Sequence, residues 1–233
     1  MKVVILAGGY GTRLSEETRV KPKPLIKIGN KPIIWHIMKI YSKFGINEFI
    51  ICQGYKGNLI QKELKQYEKK EKWKINYADT GLKTMTGGRI KRIQNYLNDD
   101  EVFCLSYGDG VCNVNIKKLI KFHILNKKIA TLTAVKQENR FGVLEIKNKI
   151  VKKIKEKPVE YINGGFFVLS KKVFKYLEND KTIFERDCLP KLSSNNELSA
   201  FIHNGFWGCM DTMRDKRVLN SEWKKKNCRW KTW

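Results

Sequence analysis

Short apolar, β-branched runs recur along the first half of the chain, with stretches of helical periodicity between them. Lys2–Leu6, Glu48–Cys52, Lys74–Ala78, Glu101–Tyr107 and Ile129–Val135 read as buried strands, and Leu25–Ile28 as a shorter one. After Pro32, the residues Ile33, Ile37, Ile40, Tyr41 and Phe44 recur at helical spacing and Gly45 stops them. Asn58–Lys70 carries Leu59, Ile60, Leu64 and Tyr67 on one helical face. Ile90, Ile93, Tyr96 and Leu97 predict a further inward face, and Ile116–Leu125 another helix. Strand and helix alternate with short connections through residue 135. That pattern predicts an α/β fold with a doubly wound, mostly parallel, Rossmann-like sheet.

The rhythm changes over residues 136–233. Gly142–Ile146 and Ile150–Lys155 flank a turn at Lys147-Asn148 and read as a hairpin. Tyr161–Leu169 is a strand, Ser170–Leu177 and Phe184–Leu192 helices, Leu198–His203 and Phe206–Met210 short strands. A basic helix runs from Asp211 to near Lys226. The expectation is a smaller, mixed α+β part of the same globular unit. It would cover the carboxyl ends of the strands and complete a cleft begun by residues 1–135.

Composition narrows the function classes. The 233 residues are 42% hydrophobic, enough for a real core, with no apolar stretch of membrane-spanning length. The N-terminus opens on a strand and lacks a leader pattern, so a cytoplasmic protein is expected. The six cysteines include no Cys-x-x-Cys pair and the three histidines are scattered, which argues against a thiolate or imidazole metal site. The net charge of +24 admits a nucleic-acid-binding protein as an alternative class. Its lysines, however, are spread along the whole chain and no recognition motif accompanies them. No specific nucleic acid and no membrane are therefore expected as partners.

The chemistry concentrates where the first strand ends. Leu6-Ala7-Gly8-Gly9-Tyr10-Gly11-Thr12-Arg13-Leu14 leaves that strand as a glycine-rich loop and runs on to Lys21-Pro22-Lys23-Pro24. Glycines let backbone N–H groups approach an anion, and Thr12, Arg13 and Lys23 add a hydroxyl, a charged fork and a point charge. Those parts suit a triphosphate. Asp109, between Gly108 and Gly110, sits where a hard cation could be held or a turn capped. Asp211, between a strand and a helix, is either an N-cap or a second carboxylate ligand, with Asp215 a competitor.

The Gly8–Pro24 loop resembles the signature loop of the sugar-nucleotide pyrophosphorylases, a branch of the nucleotidyltransferases. Gly54-Tyr55-Lys56-Gly57, Thr86-Gly87-Gly88-Arg89, Tyr107-Gly108-Asp109-Gly110, Glu156-Lys157-Pro158, Asn163-Gly164-Gly165-Phe166-Phe167 and Met210-Asp211-Thr212 are similar to the cytidylyltransferases of that family, in order along nearly the whole chain. The resemblance implies a GT-A-like form of the fold. It also implies transfer of CMP from CTP to a sugar 1-phosphate, glucose 1-phosphate foremost, with Mg²⁺ as cofactor. By motif, Arg13, Lys23 and Asp109 would be catalytic. Leu6, Gly8, Gly9, Gly11, Thr12, Arg13, Lys23, Thr86, Gly88, Arg89, Tyr107 and Asp109 would hold the nucleotide. Glu156, Lys157, Asn163 and Gly164 would face the acceptor, and Asp109 with Asp211 would bind the metal.

Residue chemistry is compatible with those roles. Two polyanions must meet, and cations offset their repulsion. Glu156 suits sugar hydroxyls, or else an ion pair with Lys155 or Lys157. Family members carry an insertion between the Gly54–Gly57 loop and Asp79 that is associated with assembly. Only Asn58–Ala78 lies there in this chain. A homo-oligomer is therefore an open expectation. So is the acceptor: another sugar 1-phosphate, or a phosphorylated non-sugar such as an amino-acid phosphate, is the alternative.

Overall fold

The computed structural model describes residues 1–139 and 141–233, and of Ser15 the backbone alone. The strands are β1 (Val3–Leu6), β2 (Lys27–Ile28), β3 (Lys31–Pro32), β4 (Glu48–Gln53), β5 (Lys74–Asp79), β6 (Val102–Tyr107), β7 (Gly110–Cys112), β8 (Ala130–Glu138), β9 (Val143–Lys147), β10 (Ile150–Lys155), β11 (Val159–Ser170), β12 (Leu198–His203) and β13 (Trp207–Cys209). The α-helices are α1 (Ser15–Thr18), α2 (Ile33–Ser42), α3 (Gly57–Glu71), α4 (Thr86–Arg92), α5 (Ile116–Asn126), α6 (Leu189–Ser194) and α7 (Met213–Trp223).

Seven strands form one sheet in the order β12-β8-β11-β6-β1-β4-β5. β1 pairs in parallel with β4 and β6, β4 with β5, and β12 with β8. β11 alone runs antiparallel to its neighbours β6 and β8. This is the doubly wound, mostly parallel α/β sheet that the alternation predicts. Strand side chains alternate between two cores. Val3, Ile5, Phe49 and Ile51 pack with Ile37, Ile60, Leu64, Leu119 and Leu219 from α2, α3, α5 and α7. Val4, Ile50, Phe103 and Leu105 pack with Ile90, Phe184 and Leu192 on the other face. Among the described residues no helix is long and apolar enough to cross a membrane. All six cysteines are free, and five are buried.

Several local expectations change. Leu25 belongs to a 3₁₀ turn, Lys23–Leu25, which shortens the predicted strand to β2. α2 ends at Ser42, short of Gly45. After α4 the chain tightens to a 3₁₀ turn, Gln94–Leu97, whose period of three turns Tyr96 outward while Leu97 stays buried. Lys171–Tyr176 is likewise 3₁₀, and Phe184–Cys188 is a π turn ahead of α6. The hairpin β9–β10 turns at Asn148-Lys149, one residue later than predicted. Both have positive φ (51° and 64°), the twist a two-residue hairpin loop requires.

Candidate active site

β1 delivers the glycine loop to the carboxyl edge of the sheet, between β4 and β6. The loop is tied down at several points. Ala7 N donates to Cys52 O at 3.1 Å, and Tyr55 N to Gly8 O at 3.1 Å. Gly11 has φ +66°, and a Cβ there would lie 2.9 Å from Thr18 Cγ2, so glycine is required. Arg89, 5% exposed, crosses beneath the loop. Its guanidinium donates to Gly8 O (3.0 Å), Gln53 O (3.0 Å), Thr80 Oγ1 (2.7 Å) and Gly81 O (2.8 Å). Burial lowers its pKa from the usual guanidinium value, and the oxygen acceptors support the charge instead of water. A Cβ on Gly8 would fall 2.1 Å from Arg89 Nη1.

Above the loop lies a cavity of about 780 Å³, the size of a small-molecule site. Of the residues expected at the site, Leu6, Gly8, Gly9, Gly11, Thr12, Arg13, Lys23, Thr86, Arg89, Tyr107, Asp109 and Asn163 line it. Others lie elsewhere. Thr86–Arg89 is the first turn of α4 and not a loop. Gly87 and Gly88 press that turn onto a neighbouring segment: a Cβ on Gly88 would be 2.6 Å from Asp180 Cα. The Gly164 carbonyl accepts from Trp207 Nε1 at 2.7 Å. Glu156 and Lys157 stand exposed beyond β10 and are not among the lining residues.

A charge cluster closes one end. Lys23 Nζ lies 2.5 Å from Asp109 Oδ2 and 2.5 Å from Asp211 Oδ1, and Arg13 Nη1 donates to Asp211 Oδ2 at 2.6 Å. Burial pulls the Lys23 pKa down, but the two carboxylates outweigh it and leave the pKa raised. A small antiparallel ribbon makes this meeting possible. β7 pairs with β13 so that Gly110 faces Cys209, and Met210 N donates to Asp109 O at 2.9 Å. Asp109 precedes one strand and Asp211 follows the other, so they emerge side by side. The competing role of Asp215 is settled by a capping box: it caps α7 together with Thr212, accepting from Thr212 N at 2.8 Å.

Asp109, Asp211 and Cys209 can each offer a ligand atom within 4.8 Å of the others. The two carboxylates fit a hard divalent cation, which takes one or two carboxylates plus substrate phosphates. Cys209 does not, because sulfur is a soft ligand that suits softer metals; burial first, then the two nearby aspartates, push its thiol pKa up.

Three participants were not legible beforehand. Cys209 joins the cluster through β13. Tyr10, 46% exposed, lines the mouth and packs on Tyr55 with ring centroids 5.3 Å apart. Glu185 enters from the π turn, accepting from Tyr107 Oη and Thr86 Oγ1, each at 2.6 Å. π turns recur at functional sites, but no residue spacing marks this one in advance.

The chain belongs to the nucleotidyl transferase family, whose model matches residues 2–218. Along its whole length, and the whole length of the relative, it is 48% identical over 256 residues to the "Glucose-1-phosphate cytidylyltransferase" of Salmonella typhimurium (strain LT2). It is 43% identical over 255 residues, again end to end, to the "Probable glucose-1-phosphate cytidylyltransferase" of Bacillus subtilis (strain 168). Both alignments exceed the chain's 233 residues, so each relative carries residues without a counterpart here. Among solved structures, HddC from Yersinia pseudotuberculosis superposes with a TM-score of 0.76 at 28% identity, covering 96% of this chain and 99% of that one.

Proposed function

We propose that this nucleotidyltransferase moves CMP from CTP to glucose 1-phosphate, forming CDP-glucose and releasing pyrophosphate. The observation that carries the reading is the Lys23–Asp109–Asp211–Arg13 cluster beside a glycine loop, in a chain similar throughout to proteins named for that activity.

An oxygen of the acceptor phosphate attacks the α-phosphorus of CTP. A new P–O bond forms while the bond from the α-phosphorus to its bridging oxygen breaks, and pyrophosphate leaves with the electron pair. The attacking phosphate is already ionised at neutral pH, so no general base is needed. The difficulty is crowding of negative charge. Arg13 and Lys23, which here pair with Asp211 and Asp109, would turn their charge to the phosphates once a metal ion takes those carboxylates, and the loop around Gly8–Thr12 supplies donors. Asp109 and Asp211 would hold Mg²⁺, which offsets triphosphate charge when bound. Backbone groups at Leu6–Gly9 and the turn entering α4 would meet the base, and Asn163 the acceptor.

A nucleotide-by-acceptor grid tests this. With Mg²⁺ present, pyrophosphate release should be fastest with CTP and glucose 1-phosphate. Preference for UTP, for another sugar phosphate or for a phosphorylated non-sugar would reassign the substrates.

A further inference from the structure

We infer that Glu185 reads hydroxyl groups of the acceptor's sugar ring. This rests on the functional reading above. Glu185 is half-buried and lines the cavity. Its carboxylate accepts from Tyr107 Oη and Thr86 Oγ1 and, among the described residues, meets no cation within 4.0 Å. The cations near it in sequence or on α4 are engaged elsewhere: Arg186 with Asp187 (2.9 Å), Lys191 with Glu178 (2.6 Å), Arg92 with Asp180 (2.5 Å), Lys91 with the Leu177 carbonyl (2.6 Å) and Arg89 with the carbonyls of Gly8, Gln53 and Gly81. In a chain of net charge +24, an uncompensated carboxylate in a cavity built for phosphates is out of keeping with its surroundings. It repels phosphate, and its natural partner is a neutral group rich in O–H donors.

A carboxylate offers about four acceptor positions, and two are filled here. Beside it, Asn163 Nδ2 donates to Tyr107 Oη at 3.2 Å, while Asn163 Oδ1 accepts from Gly165 N at 2.9 Å. One amide N–H of Asn163 is left over. Glu185 and Asn163 together present acceptors and a donor, which is what neighbouring ring hydroxyls require.

Topology favours the acceptor's ring over the ribose of CTP. Tyr107 and Asn163 lie on β6 and β11, on one side of β1, and Asp109 follows β6 directly. The wall Leu82–Thr86 follows β5, on the other side. Glu185 itself bridges the two, accepting from Thr86 on one wall and Tyr107 on the other, and it is the spare Asn163 donor beside Tyr107, on the side that carries Asp109, that favours the acceptor's ring. The Glu185 segment is also held firmly. Met85 N donates to Asp180 O at 2.8 Å and Gly88 N to Thr182 O at 3.2 Å, and buried Phe184 packs edge-on against Phe167 with centroids 5.5 Å apart.

The test compares full-length wild type with Glu185→Gln. The amide keeps the shape, and the Thr86 and Tyr107 hydroxyls can each turn to accept or donate, so a purely structural clamp survives. We expect the KM for glucose 1-phosphate to rise about tenfold, since a charged acceptor outbids a neutral one by roughly that factor. The KM for CTP and the melting temperature should stay put. A panel of mono-deoxy glucose 1-phosphates supplies the second readout. Removing the hydroxyl that Glu185 reads should cost the wild type about tenfold and the variant little. An unchanged acceptor KM, equal losses in both proteins across the panel, or a shift confined to CTP and 2′-deoxy-CTP would overturn the inference. Failure of the wild type to use any sugar phosphate would instead remove the functional reading beneath it.

Discussion

The ammonium of Lys23 lies 2.5 Å from Oδ2 of Asp109, across 86 residues of sequence. The contact joins the loop after β1 to the end of β6, the two parallel neighbours at the centre of the sheet. It also fixes a positive charge beside the carboxylate proposed to hold the metal, with Asp211 as its second partner.

On the proposed mechanism, in which Lys23 meets the phosphates as they react, Lys23→Ala removes that charge. Loss of one such donor costs on the order of 10²–10³ in kcat. Steady-state kinetics at saturating CTP and acceptor checks this. A variant within threefold of wild type would take Lys23 out of the chemistry.

Glycines near the site have separable roles. A Cβ on Gly88 would sit 2.6 Å from Asp180 Cα and 2.7 Å from its carbonyl oxygen, both backbone atoms that cannot swing aside. Gly88→Ala should destabilise the fold by about 1–3 kcal/mol, as overpacking does. At Gly9 a Cβ would meet nothing within 4 Å, so Gly9→Ala should unfold like wild type. Urea denaturation of the two variants distinguishes them, and equal stability losses would contradict the packing argument.

The pair also shows what the sequence could and could not disclose. The alternation of Val3–Leu6, Glu48–Gln53 and Val102–Tyr107 with helical segments made the sheet readable, because strands buried on both faces are apolar throughout. The clustering of the Gly8–Arg13 loop with Lys23 and Asp109 followed from where β1 and β6 end. The Gly87-Gly88 pair had the composition of a ligand loop, yet its glycines serve close packing of α4. A sequence does not distinguish a glycine that admits a ligand from one that admits a neighbouring backbone. The β7–β13 ribbon, which sets Asp211 beside Asp109, is only three residues per strand and is specified by long-range pairing. Glu185 arrives on a π turn that carries no periodic signature.

The C-terminal segment is anchored by Glu222, 3% exposed. Its carboxylate accepts from Arg229 Nε at 2.9 Å, Arg229 N at 3.1 Å and Lys225 Nζ at 2.7 Å. Arg229 first, then Lys225, hold its pKa down at about 2. A depressed carboxylate pKa stabilises the fold above its unfolded value, and that contribution is lost as pH falls toward the folded pKa. Glu222→Gln should melt below wild type at pH 7, and the gap should shrink from about pH 4.5 downward and close near pH 2. A gap independent of pH across that window would show that the ionised carboxylate is not what anchors the tail.

The central claim, transfer of a nucleotidyl group, is tested most directly by following labelled phosphorus. With CTP labelled at the α position, the label should appear in the sugar nucleotide. With CTP labelled at the γ position, it should leave entirely in pyrophosphate, at the same rate. Gamma label on the sugar, or both labels retained in unreacted CTP while glucose 1-phosphate and Mg²⁺ are present, would contradict the account.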